Sequence, residues 1–458
     1  MILGIKWKDH KVLGNLSLDF GKSDGTPYNT IVIAGENGTG KTSVLNSIYS
    51  IMKGKPFICL EKIWYSSNGV KFEVEPDPIH GESLGYYKRT NILTGESKNF
   101  PISELTRNES LESDPDEMRR NGCIYSSARS GFKTSEVKSS STSQLDSDKS
   151  GEDEDFDYTQ IKQLLVDVHV QDTQDWYELS NDCASDSNPI NFNEFKKQSR
   201  MSRFSKAFDY FFDSSLKFKD IDNNDPKEKK IRFIKDDKLI GIDELSTGEK
   251  QIVYRGAYCL RNSRAVENGV VLIDEPELSM HPKWQQKIMD YYRGLFKNES
   301  GQSVQMIFAT HSQYVISSAF DDRENVKIII LHNQNGQIIA KDVDEVVLLR
   351  NQASEVNYLA FGICSEDYFL SLYNMVQEIS KSRGYNDDIV GCDQFIKNQE
   401  DFDSRLERND RHKKSEYFTL PTYVRNTISH PDSDRHFSSE DLELSIRYLR
   451  QICLKYNQ

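Results

Sequence analysis

The residues best placed to do chemistry lie near the start of the chain, in Gly35-Glu36-Asn37-Gly38-Thr39-Gly40-Lys41-Thr42. A glycine, four residues, then Gly-Lys-Thr between a strand and a helix is the arrangement that wraps a polyphosphate. Glycines let backbone N–H groups turn inward where a Cβ would stand in the way, and the helix N-terminus adds its dipole. Lys41 would set a point charge on the β and γ phosphates, and the Thr42 hydroxyl would face Mg2+, which takes oxygen ligands. The ligands implied are ATP and Mg2+.

A second acidic segment, Val270-Val-Leu-Ile-Asp-Glu-Pro-Glu277, is an apolar strand that delivers carboxylates at its C-terminal edge, the edge where open α/β sheets bind ligands. Asp274 would hold Mg2+ through water, and Glu275 would orient or deprotonate the attacking water. Glu277 receives no role. In Leu245-Ser-Thr-Gly-Glu-Lys-Gln251, Ser246 and Glu249 form a capping box at the start of a helix. A capped N-terminus with a glycine at 248 is also an anion site, able to hold a γ phosphate presented by another copy of the chain. On its own, His311, in Ile307-Phe-Ala-Thr-His-Ser-Gln313, reads as a buried or strand-end histidine without a catalytic part. Only in the ordered company of the other three motifs does it become a sensor of the terminal phosphate, accepting from water or donating to the phosphate.

These groups need a sheet to bring them together. Short apolar runs at 30–34, 270–273, 304–308 and 326–331 read as central parallel strands, and 42–52 reads as a helix. The fold class expected is α/β, with a mostly parallel sheet, an inserted helical arm and a C-terminal α-helical unit. The chain divides into a first lobe at 1–125, a flexible serine and acidic insertion at 126–157 and an arm with return strands at 158–240. A second lobe at 241–350 and a helical unit at 351–458 complete it. Within the arm, Phe204, Phe208 and Phe211 recur at helical spacing over 193–218.

With 58 Lys plus Arg against 72 Asp plus Glu, the net charge of -14 argues against a chain-wide grip on nucleic acid. Seven cysteines without metal-ligand spacing or close pairs fit a reducing cytosol. No apolar run reaches bilayer length, so the expected location is cytoplasmic, without a membrane partner.

The order of phosphate loop, Leu-Ser-Thr-Gly-Glu, acidic strand and histidine resembles that of ABC-type P-loop ATPases. The resemblance covers residues 1 to about 335. The long insertion between 43 and 243, with Glu277-Leu-Ser-Met-His-Pro282, is similar to the overcoming-lysogenization-defect, RecF and Septu-like group (AAA_15/AAA_21) and unlike a transporter subunit. The glutamine of that family's coupling loop has no assigned position. The resemblance implies two copies sandwiching ATP, with residues 35–42 and Asp274 from one and Ser246, Gly248 and Glu249 from the other. Lys41, Glu275 and His311 would then carry catalysis. It further implies control of a partner nuclease, of HNH or Toprim type, in phage defence, with nucleic acid reached through that effector or the closed dimer.

Glu355-Val-Asn-Tyr-Leu-Ala-Phe-Gly362 and Tyr423-Val-Arg-Asn-Thr-Ile-Ser-His-Pro431 resemble C-terminal segments of ATPases from Septu, retron-linked and PARIS cassettes. Arg425 and His430 also fit the Arg, four residues, His spacing of HEPN ribonucleases, which would make the chain a toxin gated by ATP. They equally fit a bundle without chemistry, in which both pair with local carboxylates. A RecF-like DNA-repair ATPase is the third reading.

Overall fold

In this computed structural model the described residues are 1–55, 57–77, 86–101, 114–128, 150–152, 158–182, 195, 199–222, 229–261, 266, 268–298, 301–343, 347–348, 353–412, 415–430 and 435–456. Most of the insertion expected at 126–157 lies outside them. The chain forms two units, Met1–Asp342 and Val343–Gln458. The division falls ahead of residue 351, where the C-terminal unit was expected to begin.

In the first unit, apolar runs without alternation form strands buried on both faces. Thr30–Gly35, Gln305–Thr310 and Val270–Asp274 are buried throughout, as strands of a covered parallel sheet must be. The sheet runs Gln337–Asp342, Val326–Gln334, Thr30–Gly35, Gln305–Thr310, Val270–Asp274, Cys123–Ser126, Ser150–Glu152. Every adjacent pair is parallel except the first. Its register sets Asp274 beside Ala309 and Thr310 beside Ala34. The phosphate loop, the acidic pair and the histidine therefore leave the sheet along one edge.

Helix Lys41–Lys53 buries Val44, Leu45, Ile48, Tyr49 and Met52 and stops at Gly54, which adopts φ 80°, the left-handed C-cap that glycine accepts without a Cβ penalty. An antiparallel sheet, from Ser17–Asp19 and Ile2–Trp7 through Leu60–Ser67, Val70–Pro76 and Tyr86–Asn91 to Ser97–Pro101, joins it. Trp7, Leu60, Tyr65 and Phe72 share one core with Ile31, Ile48, Leu272 and Ile307. Each such buried side chain stabilises by roughly 1.5–3 kcal/mol.

The arm comprises helices Tyr158–Asp182 and Arg200–Phe211 and the antiparallel sheet Leu216–Asp222, Lys230–Lys235, Lys238–Gly241. The helical stretch expected at 193–218 ends earlier, because 216–218 pairs with 233–235 as a strand. Phe204 and Phe208 are fully buried, and Phe208 packs on Phe233 of that sheet at 5.6 Å between ring centroids. Period-3.6 phenylalanines and a β-hairpin thus bury a common face.

The second unit packs helices Glu366–Ser382, Ile389–Lys397, Leu420–Ser429 and Ser439–Tyr456 around Tyr368, Leu372, Ile446 and Leu449. It is not wholly helical: Glu407–His412 pairs with Ser415–Thr419 as a hairpin. The first of these strands is Glu-Arg-Asn-Asp-Arg-His, and a run without apolar residues carries no alternation to read. Among the described residues, no helix is long and apolar enough to cross a membrane.

Candidate functional site

The phosphate loop is shaped by its glycines. Gly35, Gly38 and Gly40 have φ of 148°, 82° and 86°, values that disfavour any residue with a Cβ. A Cβ on Gly35 would lie 2.4 Å from the Leu331 carbonyl oxygen, and one on Gly40 would lie 2.6 Å from Leu13 Cδ2. Around Gly38 nothing stands within 4 Å of the Cβ position, and Glu36 and Asn37 are exposed beside it. Thr39 is buried and turns its hydroxyl to the Glu36 carbonyl at 2.8 Å. Lys41 Nζ donates to the carbonyls of Gly35 (2.9 Å) and Glu36 (2.8 Å). Burial lowers the pKa of this ammonium, opposed by Glu275, Asp274 and Glu277 nearby. Held by loop carbonyls, this ammonium can turn to an anion bound in the loop.

The Thr42 hydroxyl donates to Asp274 Oδ2 at 2.8 Å. Asp274 is nearly buried, and its Oδ1 has no hydrogen-bond partner among the described residues. Burial raises its pKa against the Thr42 hydrogen bond. An all-oxygen pair with one orphaned carboxylate oxygen, beside a loop open to phosphate, fits Mg2+. When bound, Mg2+ would neutralise phosphate charge; Thr42 and Asp274 are the residues that would hold it, directly or through water.

Glu275 follows at φ 43°, a left-handed conformation that costs a non-glycine residue of order 1–3 kcal/mol. Arg255, on helix Thr247–Arg261, holds this turn. Its guanidinium donates to the carbonyls of Glu275 (2.9 Å), Asp274 (2.6 Å) and Ser126 (3.0 Å), and to Ser126 Oγ (2.8 Å). Helix Thr247–Arg261 is thereby tied to the acidic strand and to the neighbouring strand end. Arg255 was not singled out from the sequence. Its signal was a lone cation in the run Ile252-Val253-Tyr254-Arg255-Gly256-Ala257, all of it buried.

His311 Nδ1 lies 3.4 Å from Glu275 Oε1 and 3.5 Å from Glu277 Oε1. The pairing with Glu275 raises the imidazole pKa, against partial burial and with help from Glu277. The same pairing lowers the Glu275 pKa. Glu277, left without a role in the sequence, is buried here and accepts from Thr310 Oγ1 (2.6 Å) and the His311 N–H (3.1 Å). Its signal was a second glutamate two residues beyond the acidic pair, after Pro276.

The segment 245–251 forms the expected capping box. Ser246 N–H donates to Glu249 Oε2 at 2.7 Å, and Glu249 N–H approaches Ser246 Oγ at 3.4 Å. Glu249 also pairs with Lys235 at 2.7 Å, so its carboxylate helps to position this loop. At Gly248, a Cβ would lie 2.8 Å from the Ser279 carbonyl oxygen and 3.2 Å from the Trp284 ring. The glycine is required by packing within the chain itself.

In the second unit, Arg425 lies inside helix Leu420–Ser429 and donates to Asn426 Oδ1 at 3.3 Å. His430 stands just past the helix end, with φ −132° and ψ 71°. The two are therefore not carried on one continuous helical face.

Residues 31–317 match the AAA_21 family, described as "AAA domain, putative AbiEii toxin, Type IV TA system". Over 108 residues, 22% of this chain, it is 35% identical to the "Retron Vc95 probable ATPase" of Vibrio cholerae serotype O1 biovar El Tor. Over 107 residues it is likewise 35% identical to the "Retron Ec83 probable ATPase" of Escherichia coli. These matches span only 20% and 18% of the relatives' own length. Among solved structures it is similar to an SMC head domain from Thermotoga maritima, at 13% identity and TM-score 0.38, covering 75% of this chain and 99% of that one. It is also similar to a bacterial ABC transporter cassette, at 15% identity and TM-score 0.30, covering 76% and 100%. With most of the first unit inside the family match, this chain belongs to the AAA_21 family of P-loop proteins.

Proposed function

We propose that the chain binds and hydrolyses Mg-ATP and works as a nucleotide-driven switch between two copies of itself. The observation that carries this reading is the single sheet edge on which Lys41, Thr42, Asp274, Glu275 and His311 converge. Lys41 would leave its carbonyls for the β and γ phosphates. Glu275, at the strained end of the acidic strand, would align water and take its proton, and His311 would contact the terminal phosphate. Ser246, at its capped helix end, would meet the γ phosphate held by the other copy. Closure can be favoured only by the nucleotide's differential affinity for the closed pair, so a partner could bias it by a few kcal/mol.

The cellular role proposed is that of a regulatory ATPase of a phage-defence system, controlling a separate nuclease. Its support is the resemblance of the motifs and the retron ATPase names of two relatives. The test is phosphate release by the purified chain with Mg-ATP, beside Lys41→Ala and Glu275→Gln. Turnover in the wild type and its loss in both variants is the result expected. Equal release by all three proteins would overturn the assignment.

A further inference from the structure

We propose that Glu277 is a positioning residue for hydrolysis: it holds His311 through the ring nitrogen Nδ1 and so leaves the Glu275 carboxylate to the attacking water. This rests on the ATPase reading above. Glu277 is 4% exposed, and its Oε1 collects the Thr310 hydroxyl, the His311 N–H and, at 3.5 Å, His311 Nδ1. Its Oε2 is buried with no partner among the described residues. Burying a carboxylate is costly, and a neutral acceptor would serve the threonine and the backbone N–H equally well. Full negative charge is useful here to neighbours that carry a proton, and the one within 3.5 Å is the imidazole.

Both carboxylates facing Nδ1 offer lone pairs alone, so Nδ1 carries a hydrogen and Nε2 is left for the phosphate side. His311 also lines a cavity of about 400 Å³ with Ser279, Gln285 and Tyr314. One N–H cannot serve two acceptors fully. If Glu275 were its sole partner, the histidine and the water would compete for the same carboxylate during turnover. Glu277 removes that competition, because its Oε1 is anchored from two other sides and stays in place when Glu275 turns to water. The Glu277 charge also reaches Lys41, which places it within the electrostatics of the phosphate site.

The experiment is a double-mutant cycle between Glu277→Gln and His311→Ala, measuring kcat for phosphate release and the Kd of a fluorescent ATP analogue. Glutamine keeps an acceptor for Thr310 and the His311 N–H and removes the charge. The expected result is a kcat about ten-fold or more lower in Glu277→Gln, with Kd within about three-fold of wild type. In the His311→Ala background the same substitution should cost nothing further. Thr310→Val gives a second route, since it frees Oε1 from one anchor while keeping the charge; it should lower kcat in the wild-type background and leave His311→Ala unchanged. Losses that multiply in the double mutants, a Kd that weakens in step with kcat, or full activity in Glu277→Gln would overturn the proposal. Absence of turnover in the wild type would instead remove the ATPase reading itself.

Discussion

The hydroxyl of Thr42 donates to Asp274 Oδ2 across 2.8 Å, although 232 residues separate them in the chain. A divalent cation needs the oxygens of both groups, so its arrival replaces this hydrogen bond by metal or metal-water contacts. The hydrogen bond thus keeps the two oxygens converged at a position that strand register has already chosen.

Asp274→Ala should therefore lower Mg-dependent phosphate release by about 100-fold or more. ATP-analogue binding in EDTA should stay within a few-fold of wild type, because Lys41 and the loop backbone remain. Steady-state release and a fluorescence titration check the two halves. Equal loss of Mg-free binding would mean that Asp274 shapes the loop and does not serve the metal.

From a buried position Arg255 donates to Ser126 Oγ and to the carbonyls of Ser126, Asp274 and Glu275. Arg255→Ala strands three carbonyls and frees the strained Glu275 turn, and should destabilise the chain by about 2–4 kcal/mol in urea unfolding. Arg255→Lys should recover little, since an ammonium cannot reproduce the planar fork. Full stability in the lysine variant would contradict the clamp.

The pairing of His311 with Glu275 predicts a pH dependence of the nucleotide-free protein. His311 titrates above its ordinary 6.5, so its contribution is complete below that value and fades as pH rises through the raised one. Glu275 titrates below its ordinary 4.5, so its contribution is present above that value and fades as pH falls through the lowered one. Above the ordinary 6.5 the His311 side of this linkage governs, and as pH rises from there melting temperature should decline more in wild type than in His311→Ala. Parallel curves would show that the pairing adds nothing in solution.

At the start of helix Thr247–Arg261, Ser246→Ala removes a helix cap and should cost about 1 kcal/mol. Gly248→Ala should cost at least as much, because its methyl would meet the Ser279 carbonyl and Trp284. Thermal melts of both variants test this, and a neutral Gly248→Ala would contradict the packing described.

The central strands, helix Lys41–Lys53 and the phosphate loop were legible because uninterrupted β-branched runs, 3.6-residue spacing and glycine placement are local signals. Their bounds differ from expectation by one to three residues, as where 42–52 became Lys41–Lys53 and 326–331 became Val326–Gln334. Strand Cys123–Ser126 was not legible: at four residues it is too short to show a period, and its place beside Val270–Asp274 depends on pairing across the chain. Arg255 and Glu277 escaped for the same reason. An arginine in a helix and a third acid after a strand acquire meaning only when the register brings Ser126, Thr310 and His311 to them. Glu249 shows a part that was legible, since the Ser-x-x-Glu pattern predicts the cap it forms, while its pair with Lys235 depends on the hairpin that register brings alongside.

The central claim is that ATP joins two copies and that Glu275 undoes the joint. Mass photometry of wild type and Glu275→Gln, with and without Mg-ATP, tests it directly when paired with phosphate release. The account predicts ATP-dependent doubling of mass in both proteins, persistent in Glu275→Gln, which releases no phosphate. Unchanged mass on adding Mg-ATP in either protein, or phosphate release undiminished in Glu275→Gln, would contradict it.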